Sequence, residues 1–177
     1  MLKRYIGKIG EDRTVVEFQM NHYGPEDNER FEDPGTIMST GSIKVPMPFQ
    51  KGTIERIIYR QYSLFGLPGA YDFRTWLFQD TITSAVRGSA KAFTSSEMDS
   101  VVGYIDTSTG DSPVTPVDLW VFGERSVPYD NMLQKTVDIP FVITSENPTF
   151  NVVQEYIGDG ITLYDTYIYC YLIIKRD

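Results

Sequence analysis

The sequence is poorest in the side chains that do most enzymatic chemistry: one histidine, His22, and one cysteine, Cys170, in 177 residues. A Ser-His-Asp or Cys-His nucleophile needs a base that titrates near neutrality beside a serine or cysteine. The only imidazole lies in Asn21-His22-Tyr23-Gly24-Pro25, which reads as a strand entering a turn, and no Gly-x-Ser-x-Gly elbow occurs. One histidine and one cysteine far apart in the chain do not make a zinc site, and one thiol makes no internal disulfide. Gly-x-Gly-x-x-Gly and Gly-Lys-Ser/Thr phosphate loops are missing, and the sequon-like Asn147-Pro148-Thr149 carries the excluded proline. No run approaches the 18 apolar residues of a membrane helix, and Met1 to Lys8 lacks the apolar stretch of a secretory leader. Positive charge is also short: 16 basic against 24 acidic residues give a net charge of −8, which disfavours nucleic acid and anionic lipid as main partners. These absences predict a protein made in a reducing cytoplasm, without a secretion signal, catalytic residues, cofactor or metal.

What remains is material for a folded β domain. Hydrophobic residues make up 41% and aromatics 14%, enough for a sizeable core, and charged residues at 23% suit a solvated surface. The length fits one domain spanning residues 1–177. Runs rich in β-branched and aromatic residues predict strands at Thr14–Met20, Thr36–Val45, Thr53–Tyr62, Asp72–Gln79, Thr81–Arg87, Val117–Phe122, Thr136–Ile143, Asn151–Ile157 and Thr166–Ile174. Gly24-Pro25, Asp33-Pro34-Gly35, Leu67-Pro68-Gly69, Thr109-Gly110-Asp111 and Gly158-Asp159-Gly160 mark turns, the last placed to close the final hairpin. The expected fold is mainly β, an antiparallel β-sandwich, jelly-roll-like, with at most one or two short helices.

The final strand has no polar face. Ile168, Cys170, Leu172 and Ile174 alternate with Tyr167, Tyr169, Tyr171 and Ile173, a pattern expected of a central strand whose second face meets a loop, another sheet or another subunit. Cys170 is expected to be inert packing. Trp76, Trp120, Phe73, Phe78 and Phe122 fall within strands and are expected in the core, whereas Tyr5, Tyr23, Tyr59, Tyr62, Tyr71, Tyr104, Tyr129 and Tyr156 are assigned to boundaries.

Two segments depart from strand patterning. Thr94-Ser95-Ser96-Glu97 has the spacing of a capping box, with Met98, Val101, Val102 and Ile105 at helical intervals, and the same stretch also reads as a loop followed by a strand from Ser100 to Ile105. Residues 21–35 hold five carboxylates and two prolines and predict a long exposed loop in which Tyr23 and Phe31 are the groups able to order against a partner. Asp106–Asp111 only superficially matches a calcium loop, because Gly110 is fifth rather than sixth and Val117 stands where the bidentate glutamate belongs. Nor do the 24 acidic residues single out a pair in apolar surroundings, as glycoside hydrolysis requires.

In overall habit, a short, acidic, cysteine-poor, tyrosine-rich β chain with loops such as 21–35 and 106–116, the sequence resembles the small structural proteins of tailed bacteriophage particles. These are the capsid decoration, auxiliary capsid and head-completion proteins. The resemblance implies a non-enzymatic virion component that self-associates or binds a repeating lattice of capsid or tail proteins. The expected interface residues are Tyr23, Phe31, Tyr129, Tyr167, Tyr169 and Tyr171, because tyrosine covers apolar area while keeping a hydroxyl. The alternative is a β-sandwich carbohydrate-binding module or a glycan-acting hydrolase.

Overall fold

Side-chain parity decides which way each strand faces. In the last strand Ile168, Cys170, Leu172 and Ile174 are buried, while the tyrosines and Ile173 between them are half-buried. The computed structural model describes residues 4–8, 11–22, 30–31, 33–63, 72–107, 121–123, 129–144, 146, 148–158, 161–162 and 166–177. Its strands are β1 (Arg4–Lys8), β2 (Arg13–His22), β3 (Arg30–Phe31), β4 (Ile37–Lys44), β5 (Lys51–Ser63), β6 (Phe73–Phe78), β7 (Val101–Asp106), β8 (Val121–Gly123), β9 (Tyr129–Val142), β10 (Thr149–Tyr156), β11 (Ile161–Thr162) and β12 (Thr166–Arg176). One short helix, α1 (Ser95–Asp99), precedes β7.

The strands form a six-stranded sheet in the order β1-β2-β12-β5-β9-β8 and a four-stranded sheet in the order β4-β10-β6-β7, with every pairing antiparallel; β3 and β11 make a separate ribbon. The connectivity is that of one long hairpin rolled up. β2 pairs with β12, β4 with β10, β5 with β9 and β6 with β7, and the roll closes where β12 meets β5 and β10 meets β6. This is the jelly-roll arrangement of an antiparallel β-sandwich, and it puts β12 in the interior of its sheet.

Between the sheets lies one contiguous core. Val16, Phe18 and Met20 of β2, Ile54, Ile57 and Tyr59 of β5, Leu133 of β9 and the buried face of β12 meet Phe73 and Leu77 of β6 and Phe150, Val152 and Tyr156 of β10. Ile54 and Ile57 both face inward although three residues apart, because a bulge at Glu55 shifts the register against β9 and reverses the parity of the strand. A second cluster, Ile37, Trp76, Phe78 and Val153, lies on the far side of the four-stranded sheet, with Ile82, Ala85, Phe93 and Val101 packed against it. β6 is therefore apolar on both faces.

That second cluster corrects one expected strand. Residues 81–87 are irregular and cover the four-stranded sheet. The reason is local: the Glu97 carboxylate takes the backbone N–H groups of Thr83 and Ser84, so they make no sheet ladder. The 94–105 stretch resolves into both readings at once. Thr94 caps α1 with the complete capping box, and the chain then enters β7, so Val101, Val102 and Ile105 belong to a strand and Met98 is exposed. Gly158-Asp159-Gly160 does not close a final hairpin, since β10 and β12 lie in different sheets. The long 21–35 stretch contains β3, which pairs Phe31 with Ile161 and Arg30 with Thr162. Of the expected strand Val117–Phe122, residues 117–120 lie outside the described residues.

Candidate interaction surface

The outer face of the six-stranded sheet is built by register. Glu17 of β2, Tyr171 of β12 and Ile58 of β5 stand in one cross-strand row; Gln19, Tyr169 and Arg60 form the next, and Val15, Ile173 and Arg56 flank the first row on its other side. Arg60 is exposed and the other eight are half-buried. The buried alternates of the same strands fill the core, so these side chains point away from the second sheet. The result is an aromatic and aliphatic strip along β12, bordered by a carboxylate on the β2 side and guanidinium groups on the β5 side.

Polar contacts fix the border. At one end Arg13 reaches across β12 from β2 and donates to both carboxylate oxygens of Glu55, at 2.8 and 3.2 Å. This hydrogen bond from Arg13 holds the Glu55 carboxyl below its ordinary range. Toward the other end Gln19 Nε2 donates to Asn21 Oδ1 at 2.9 Å. Burial raises the Tyr171 phenol above its usual value, the Glu17 carboxylate adds to the shift, and Arg60 opposes it both by charge and by hydrogen bonding. Tyr171 thus sits between the two charges.

Of the six expected interface residues, Tyr167, Tyr169 and Tyr171 share this face. Tyr129 opens β9, two strands from β12, opposite Ser63. Phe31 belongs to the separate β3–β11 ribbon, and Tyr23 lies outside the described residues. Sequence reasoning missed Glu17, Ile58, Arg56 and Arg60 as members of the surface. The alternation of β2 signals that Val15, Glu17 and Gln19 share a face, but that this face adjoins the β12 tyrosines depends on strand pairing.

The core and the far face hold other polar groups. Tyr59 Oη donates to Thr75 Oγ1 at 2.8 Å across the sandwich, and Gln154 Nε2 donates to Thr75 Oγ1 at 3.3 Å and to Cys170 Sγ at 3.7 Å. Tyr59 and Tyr156, expected at a boundary, are in the core; Tyr59 is accommodated there because a hydroxyl of the facing sheet accepts a hydrogen bond from its phenol. Burial pushes both the Cys170 thiol and the Tyr59 phenol far above their usual values, so the thiol stays protonated and unreactive. On the far face Glu155 accepts from Trp76 Nε1 at 2.6 Å and from Lys91 Nζ at 2.7 Å. Nearby Arg74 grips Asp106 with two hydrogen bonds and lies 4.3 Å from the ring centre of exposed Tyr104. Asp106, the first residue of the calcium-like stretch, is therefore committed to an ion pair.

Among the described residues no three His, Cys, Asp or Glu side chains gather into a group able to hold a metal ion, and no helix is long and apolar enough to cross a membrane. A shallow groove of about 380 Å³ opens on the four-stranded sheet, lined by Thr40, Gly41, Ser42, Ile82, Asn151, Val152 and Val153. Comparison with known proteins adds no relative: no protein-family model matches the chain, and no curated protein matches it in sequence.

Proposed function

We propose that this chain is a non-enzymatic structural protein that acts through protein–protein contact, using the outer face of the six-stranded sheet. In this reading it is a virion component, a capsid decoration, auxiliary capsid or head/tail completion protein, that binds copies of itself or a repeating lattice of capsid or tail proteins. The observation that carries the proposal is the row of three half-covered tyrosines on an interior strand, with Glu17 on one side and Arg56 and Arg60 on the other. An aromatic centre with a polar, charged rim is the anatomy of protein interfaces. The jelly roll is compatible with this use, since viral capsid domains share it, but fold alone assigns no function.

Tyr169→Lys tests the surface. Its ring lies at the middle of the strip, so a lysine there leaves the core untouched while placing a charge where a partner would bury apolar area. Sedimentation equilibrium over a dilution series is expected to show association by the wild type, weakened at least about tenfold in the variant, with unchanged thermal melting. Equal association by both proteins contradicts the proposal. For the virion assignment, antibodies against the chain are expected to decorate purified particles in electron micrographs.

The groove favours a second reading, a carbohydrate-binding module. Its volume lies within the range of small-ligand sites, and its lining offers two hydroxyls and one carboxamide without a charged group, which suits a neutral sugar. Glycan-array binding that is lost in Asn151→Ala and kept in Tyr169→Lys selects that reading over the first.

A further inference from the structure

Resting on that reading, we infer that the occupant of the β12 face is a second copy of this chain, packed sheet against sheet about a two-fold axis parallel to β12. Charge placement points to this pairing. Glu17 lies on β2, one strand to one side of β12; Arg56 and Arg60 lie on β5, one strand to the other side. Ile58, the residue level with Glu17 on β5, sits between the two arginines in sequence and on the same face. A two-fold axis along β12 carries the β2 side of one copy over the β5 side of the other without moving residues along the strand. Glu17 then lies over Ile58 of the second copy, within side-chain reach of Arg56 and Arg60, and the contact occurs twice.

The competing face-to-face arrangement has its two-fold axis across the strands. It lays β2 over β2 and β5 over β5, and with the axis level with Tyr171 it sets Glu17 over Glu17 and Arg56 over Arg60. Like charges opposed across a closing interface disfavour it, so the charge pattern favours the axis along β12. Between the charges the tyrosine strips and Ile173 meet each other, which is where apolar burial accrues. Sheets packed face to face stand about 10 Å apart and within about 30° of parallel, so the rows near the axis stay in register. With strands about 4.8 Å apart and rows about 6.8 Å apart, a patch of four strands by four rows covers about 500 Å² in projection on each copy. That is near the lower end of specific interfaces and implies reversible, concentration-dependent association.

Two single variants and their mixture test this. Glu17→Arg alone sets the introduced guanidinium against Arg60 of the second copy, and Arg60→Glu alone sets the introduced carboxylate against Glu17, so each is expected to raise the dissociation constant by at least about tenfold. Mixed in equal amounts they form a heterodimer in which one contact sets the introduced guanidinium against the introduced carboxylate and the other is the wild-type Glu17–Arg60 pair, and association is expected to return to within about threefold of wild type. Thermal melting of each variant checks that the monomer fold is intact, and any change within the monomer is the same in the mixture. A mixture that stays as weak as its components, with association still weakened in Tyr169→Lys, overturns the two-fold geometry and leaves the surface reading standing. A wild type that remains monomeric at millimolar concentration overturns self-pairing altogether. An assembly indifferent to Tyr169→Lys contradicts both.

Discussion

Glu155 shows what one buried carboxylate does when every oxygen is occupied. It is 4% exposed and accepts from Trp76 on one oxygen and Lys91 on the other, and Lys91 lies 5.0 Å from the Trp76 ring centre. It thereby ties β10 to β6 and to the cover over the four-stranded sheet. Glu155→Ala strands an indole N–H and an ammonium group, and is expected to cost about 3 kcal/mol in urea unfolding. Glu155→Gln keeps an acceptor for the indole and is expected to lose clearly less; equal losses would show that the indole hydrogen bond contributes nothing. Residues of this kind were hidden in the sequence, where Glu155 is one acid among 24. Trp76 as a core residue was legible from its apolar strand, but its partner 79 positions away was not. Tyr59 is the same case, because a tyrosine belongs in a core only if another element supplies an acceptor. Gly52 is a third case: a Cβ there would meet the Lys175 carbonyl oxygen, a constraint set by the β5–β12 pairing.

The element that depends most on one side chain is the irregular segment following β6. Glu97 caps α1 and also accepts from Ser84 Oγ at 2.5 Å, from the Thr83 and Ser84 backbone and from Thr94 N at 2.8 Å. The Ser84 hydroxyl, followed by the backbone N–H groups of Thr94, Ser84 and Thr83, holds its carboxyl far below the ordinary carboxylate range. The sign follows from linkage: a depressed folded-state value contributes stability that is fully present above the unfolded value near 4.5 and is lost as pH falls below it toward the folded value. The wild-type melting temperature is therefore expected to fall more steeply below about pH 4.5 than that of Glu97→Gln, which carries no titrating group there; parallel curves would contradict the assignment. The capping box was readable from Thr94 and Glu97 at their spacing. That Glu97 also organises residues 83–84 was not, since the contact spans 13 and 14 positions and removes a strand that composition favoured.

At the scale of the whole molecule, the chain closes as a rolled hairpin whose second and last strands are neighbours, and this places an apolar, tyrosine-bearing strand between two partners in the larger sheet. The alternation of β12 announced its two faces and its interior position. The identity of the residues beside the tyrosines had to come from topology, because Glu17 and Arg60 are 43 positions apart in sequence. Tyrosine oxidation by hydroxyl radicals, read by mass spectrometry on the wild-type protein at low and high concentration, tests the central claim most directly. Tyr104, 52% exposed on the other sheet, is the internal reference. Association through the β12 face predicts that Tyr167, Tyr169 and Tyr171 become protected as concentration rises while Tyr104 does not; protection of Tyr104 with the β12 tyrosines unchanged would contradict it.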